Sequence, residues 1–173
     1  MRRATIILAV AVSAASLLAA AAAAVVNPPM EDGTLSVRDG RASMLLRVKG
    51  SIIGRLAKGK ITVTDSATGA TIIVRGWESK VPLPGRTTSY SGKGIRFRIA
   101  DDHKVLVKLS GRGLNYTVVG RGDGWLDGFG DPTKGIFFDG SYSLNAEPYH
   151  SIPDEKTSFQ LASPKPPGSR ASG

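Results

Sequence analysis

The sequence contains no cysteine. That absence excludes a disulfide scaffold, a thiol nucleophile, a zinc finger and any iron–sulfur or haem centre held through cysteine. Histidine is scarce as well: His103 and His150 are the only two, too few for metal sets or proton relays built from several imidazoles. Aromatic residues make up 6% of the 173, so no series of rings is available as a stacking platform for bases. After Pro29 no window of helical length carries an apolar stripe at 3.6-residue spacing. A glycine loop that follows a strand and opens a helix is missing, which argues against a nucleotide site. No Gly-x-Ser-x-Gly elbow presents a serine. Acids are outnumbered, 14 against 23 Lys and Arg. The apolar share, 41%, is too high for a disordered chain, and the length suits one domain with its own core.

The chain begins with an export-like leader. Met1-Arg2-Arg3 is positive, and the 23 residues from Ala4 to Val26 are uncharged and mainly apolar. A charged start, an apolar stretch and then small residues (Ala19–Ala24) is the order that export machinery reads. The same stretch, at 1.5 Å per residue, reaches about 35 Å and is long enough to cross a bilayer. Residues 1–26 are therefore expected to be a signal peptide or an N-terminal membrane anchor. Both readings place the rest of the chain outside the cytoplasm, with Arg2 and Arg3 inside and Glu31-Asp32 outside. The expected locations are secreted, periplasmic, or anchored at the outer face of the cytoplasmic membrane. Residues 27–33, with Asn27-Pro28-Pro29, read as a linker, 34–162 as a single β domain, and 163–173 as a disordered tail rich in Pro and Gly. Removing Arg2 and Arg3 lowers the formal charge from +9 to +7, so the exported part stays basic.

The body alternates with period two. Met44, Leu46 and Val48 face Leu45, Arg47 and Lys49; Ile61 and Val63 face Lys60, Thr62 and Thr64; Ile95, Phe97 and Ile99 face Arg96 and Arg98; Val105, Val107 and Leu109 face Leu106 and Lys108. Thr71–Arg75 is more continuously apolar and is expected to be central. Shorter strands are expected at Leu35–Val37, Ile52–Ile53, Leu114–Val119, Trp125–Leu126 and Ile136–Phe138. Turn signals separate them: Asp39-Gly40, Ala67-Thr68-Gly69, Asp101-Asp102, Ser110-Gly111, Gly120 and Asp139-Gly140. The stretch Pro82–Gly94 reads as a surface loop. The fold class predicted is all-β, an antiparallel β-sandwich or open β-barrel of about nine or ten short strands. A shift of 63 places superposes Asp39 on Asp102, Gly50 on Gly113 and Gly59 on Gly122, as two similar halves would.

Two constellations carry chemistry. Arg47, Lys49, Arg96, Arg98, Lys108 and Arg112 sit on polar faces of alternating strands, within two basic crowds that also include Arg38, Arg41, Arg55, Lys58, Lys60, Lys104 and Arg121. A sheet face studded with cations suits an anionic polymer or lipid surface, or simply keeps edges from aggregating. Asp123, Asp127 and Asp131, four residues apart among glycines, offer oxygen ligands for Ca²⁺, or cap their own turns. Neither the EF-hand order nor the β-roll repeat is present. Arg121-Gly122-Asp123 spells a receptor-recognised tripeptide, and Asn115-Tyr116-Thr117 a glycosylation sequon; both are short enough to occur by accident. His103, His150, Glu78, Glu147 and Glu155 are the remaining titratable candidates for hydrolysis, with Trp77 and Trp125 able to line a sugar groove. The expected role is non-catalytic: an exported envelope domain that binds an anionic component or has a structural part, with no cofactor apart from Ca²⁺, no nucleic acid, and membrane contact only through the N-terminal segment. The alternatives are a small envelope hydrolase acting on glycan or lipid, and a calcium-stabilised adhesion-like module.

Overall fold

The computed structural model describes residues 30–67, 69–130 and 138–164. The leader (1–26), the first part of the linker, Thr68, Asp131, the expected strand residues Ile136 and Phe137, and residues 165–173 lie outside the described residues. Within them the chain is all-β and antiparallel, with no helix. The elements are β1 (Met30–Glu31), β2 (Gly33–Asp65), β3 (Thr71–Arg75), β4 (Ser79–Leu83), β5 (Thr87–Gly128), β6 (Ser141–Leu144), β7 (His150–Ser151), β8 (Thr157–Leu161) and β9 (Ser163–Pro164). The main sheet is open: β3 and β4 pair with β5 on one side, and β6 with β7, and β8, continue it on the other. The first and last described residues of the chain pair with each other, β1 with β9, Met30 opposite Pro164 and Glu31 opposite Ser163.

Two runs dominate, β2 with 33 residues and β5 with 42. Most of β2 has β5 on both of its edges. Leu45 is opposite Lys108 on one side and Trp125 on the other; Ile52 is opposite Ile99 and Val118; Ile61 is opposite Tyr90 and Leu109. Lys108 and Trp125 are 17 residues apart along β5, about 56 Å if straight, yet two strand spacings separate them by only about 9.5 Å. β5 must therefore curl back on itself, carrying β2 with it. The concave side collects Leu35, Val37, Met44, Leu46, Val48, Ile52, Leu56, Ile61 and Val63 from β2, and Ile95, Phe97, Ile99, Val105, Val107, Leu109, Leu114, Tyr116, Val118 and Leu126 from β5, in one buried cluster.

The separate strands read from the sequence are mostly stretches of these two runs. Asp39-Gly40 does not reverse the chain: Val37 is opposite Tyr116 and Gly40 opposite Leu114 in the same antiparallel ladder, so the extra residue is a bulge. Asp39 takes φ 48° there, and the side chain of Asn115 bridges it by accepting from the Asp39 amide at 3.2 Å and donating to its carboxylate at 3.0 Å. The bulge changes which parity faces inward, from Leu35 and Val37 to Ala42 and Met44. A second change falls at Ala57-Lys58, both exposed, between Leu56 and Ile61. Asp101-Asp102 is a third irregularity inside β5; the Asp101 carboxylate accepts from the His103 amide at 2.8 Å.

The runs bend where glycines meet. Gly50 and Gly120 are directly opposite, with φ of 144° and 151°. A Cβ on either would stand 2.2 Å from a backbone oxygen of the facing run, so only glycine lets the two runs approach there.

Two further expectations change. Thr71–Arg75 is not central: β3 pairs only with β5 and forms an edge. Pro82–Gly94 is not a loop: β4 and the start of β5 make a hairpin around Pro84-Gly85-Arg86. The two stretches of the 63-residue echo fall in β2 and β5, the partners of a single ladder.

Candidate anion-binding face

The convex face of the sheet is built by the residues that alternate with the core. Across β3, β5 and β2, one cross-strand row reads Ile73, Arg98, Ile53, and the row beside it Arg75, Arg96, Arg55. All six side chains are exposed, Ile53 by 53% and Ile73 by 42%. Together with Gly54, Phe97 and Asn115 they line a shallow open cleft of about 450 Å³ whose surface is mostly apolar. Four arginines thus share this face with two uncovered isoleucines, one between them and three in the adjacent row.

Beyond the Ala57-Lys58 bulge the same strands carry another row of one sign: Lys93 opposite Lys58, Lys58 opposite Arg112, and Arg112 opposite Arg41. With Arg55–Arg96 and Arg75–Arg96, five directly opposed pairs in these two rows are like-charged, and a sixth, Lys49–Arg121, lies outside them. Such pairs sit about 5 Å apart at Cβ and are destabilising, and no stability argument accounts for placing them in register. Among the described residues the ion pairs are Arg47–Asp123 at 3.2 Å, Arg121–Asp32 at 3.0 Å and His103–Asp101 at 3.6 Å. None involves a cation of these two rows; Arg41, at the end of the second row, lies close enough to the Asp139 carboxylate to interact with it.

The six cations singled out from the sequence divide among three places. Arg96 and Arg98 lie in the cleft and Arg112 in the second row. Arg47 faces Asp123 across the strand pair and is neutralised by it. Lys108 stands opposite Leu45 and Thr62, beside Trp125 and Lys60. Lys49 is opposite Arg121, which is bound to Asp32. Arg75 and Lys93 were missed, because Thr71–Arg75 reads as a buried strand and Lys93 as part of a loop. Arg55, Lys58 and Arg41 stand in the basic crowd, but the bulges that bring them into rows have no sequence signature that separates them from turns.

Of the aspartates, Asp123 and Asp127 project from the same strand face, opposite Arg47 and Ser43; Asp131 lies outside the described residues. Among the described residues no three His, Asp or Glu side chains are grouped as a metal set requires. The tripeptide Arg121-Gly122-Asp123 is strand rather than turn, paired with Val48 and Leu161 through Gly122, and both its charges are bound within the chain. Asn115 of the sequon is engaged with Asp39 and donates to the Gly113 carbonyl. His103 is bound to Asp101, and His150 packs near the ring of Tyr142 at 6.1 Å between centroids; among the described residues no serine hydroxyl bonds to either. Trp125 carries the Lys156 ammonium 4.6 Å above its ring. Trp77 is 44% exposed and lies 6.4 Å from Tyr90 between ring centroids.

Comparison with protein-family models, with curated proteins and with solved structures finds no match to this chain.

Proposed function

We propose that this is an exported, non-catalytic β domain that holds an anionic component of the cell envelope against the convex face bearing Arg41, Arg55, Lys58, Arg75, Lys93, Arg96, Arg98 and Arg112. In this reading the curled sheet is a sandwich whose interior is filled by side chains, and recognition takes place on its outside. The observation that carries it is the set of five like-charged pairs placed in register, none of them closed by an ion pair and only Arg41 near a carboxylate, that of Asp139. Two rows of cations across adjacent strands make a broad positive field, which attracts a polyanion and depends on ionic strength because the charges are exposed. A solvated surface that only needed solubility would intersperse the signs.

The test is a heparin titration of the purified chain at low and high salt. Binding that weakens steeply with salt supports the proposal, and Arg55→Gln with Arg96→Gln removes most of it. Affinity that is absent at low salt, or that does not respond to these substitutions, contradicts it.

A further inference from the structure

The cleft is built for more than charge. A soluble acidic polymer offers acids and hydroxyls, and nothing in it rewards two exposed isoleucines set between arginines. We infer that the block Ile73, Arg98, Ile53 beside Arg75, Arg96, Arg55 seats the headgroups of an anionic lipid bilayer, with Ile53 and Ile73 reaching the glycerol and upper acyl level. The inference rests on the anion-binding reading above and names its ligand.

Three features point to this occupant. First, each isoleucine has an arginine as its cross-strand neighbour, Arg98 lying between Ile53 and Ile73, and the adjacent row, Arg75, Arg96, Arg55, is wholly cationic. Ile53 and Ile73 are 53% and 42% exposed on the same face, so apolar and cationic side chains reach a facing bilayer together. Second, all four cations of the cleft are arginine rather than lysine. The guanidinium fork takes phosphate oxygens in pairs, and its aliphatic stem lies along apolar surface while its head stays at the polar level. Third, the cleft is shallow and open, about 450 Å³, with Phe97 and Gly54 also in its lining. That shape admits headgroups presented by a surface and does not enclose a whole small molecule. Membrane contact is thus not confined to the N-terminal segment.

The test uses the full chain. Because the sequence has no cysteine, a single introduced one carries a unique label. Val119→Cys places a fluorophore on the cleft's face, where Val119 is opposite Ser51 and 43% exposed, and Gln160→Cys places one on an exposed position of β8, opposite Asp123 and in neither cation row. With phosphatidylglycerol vesicles that contain a lipid-borne quencher, the label at 119 is expected to be quenched and the label at 160 not. With phosphatidylcholine vesicles neither is quenched through this face. Any partition of the apolar run Ala4–Val26 affects both labels alike. Arg96→Gln with Arg98→Gln is expected to weaken partition to phosphatidylglycerol by roughly thirtyfold, at about fivefold per arginine. Ile53→Ser with Ile73→Ser weakens it by roughly tenfold and leaves heparin affinity essentially unchanged. Equal quenching at 119 and 160, or none at 119, with heparin binding intact, overturns the lipid assignment and leaves the polymer reading in place. Loss of heparin binding as well overturns both.

Discussion

Gly50 and Gly120 show how much of the fold depends on single side chains that are missing. Each has a positive φ, and a Cβ on Gly50 would meet the Val119 carbonyl oxygen at 2.2 Å and the Gly120 Cα at 2.7 Å. Both obstacles are backbone, so relief requires the runs to separate. Gly50→Ala is expected to lower stability by roughly 2–4 kcal/mol, read as a fall in the urea midpoint, whereas Gly85→Ala, with open space around it, carries only the conformational part of that cost. Tyr116 behaves differently. It is buried, and burial pushes its phenol well above the usual range; its hydroxyl meets only the thioether of Met44, a weak acceptor. Tyr116→Phe is therefore expected to hold stability or raise it by up to about 1 kcal/mol, and a clear loss in the same urea experiment would show that the hydroxyl has a better partner. Asp139 is 2% exposed. Burial raises its carboxyl above the ordinary 3.8, opposed by Arg41 and the Gly130 and Phe129 amides and reinforced by Asp154. A raised acid binds its proton more readily when folded, so the stability it contributes is complete below 3.8 and is lost as pH rises through the higher folded value. Asp139→Asn should flatten that loss in melting curves taken from about pH 3 to 7; an unchanged profile would mean that Asp139 is not its source.

At the level of the element, the long ladder sets the face. Lys58 is opposite both Lys93 and Arg112, so Lys58→Glu converts two repulsive pairs into attractive ones. It is expected to stabilise the fold by roughly 0.5–1.5 kcal/mol while weakening heparin binding, a trade that thermal melts and salt elution read together. A variant that melts lower would show that the row is not under repulsion. The alternation in Ser43–Lys49, Ile95–Ile99 and Val105–Leu109 was legible because period two depends only on local sequence, and the core residues it assigns are the buried ones. The connections were not legible. Asp39-Gly40 has the composition of a hairpin turn, yet some bulges also place one residue at positive φ, as Asp39 is here, and only the pairing of both flanks with β5 distinguishes the two. Reading bulges as turns cut β2 and β5 into pieces and hid the rows: Arg55 and Arg96 are far apart in sequence and become neighbours only through the register. Arg75 was lost for a simpler reason. Thr71–Arg75 looks buried by composition, while its edge position leaves Ile73 and Arg75 exposed.

At the scale of the molecule, the charge that export would leave, +7, is not evenly placed. Arg47 and Arg121 are matched by Asp123 and Asp32, whereas among the described residues no cation of the rows through Arg96 and Lys58 is in an ion pair, and only Arg41 lies near a carboxylate, that of Asp139. Position rather than net charge therefore defines the face, and one comparison separates the two. Two double variants of equal formal charge are titrated with heparin at low salt, one with Arg55→Gln and Arg96→Gln, the other with Arg47→Gln and Lys108→Gln. The proposed face predicts that the first loses roughly thirtyfold in affinity, at about 1 kcal/mol per cation, and that the second stays within about threefold of the parent. Equal losses in the two would show that the chain attracts anions only through its overall charge, and the face would have no special part.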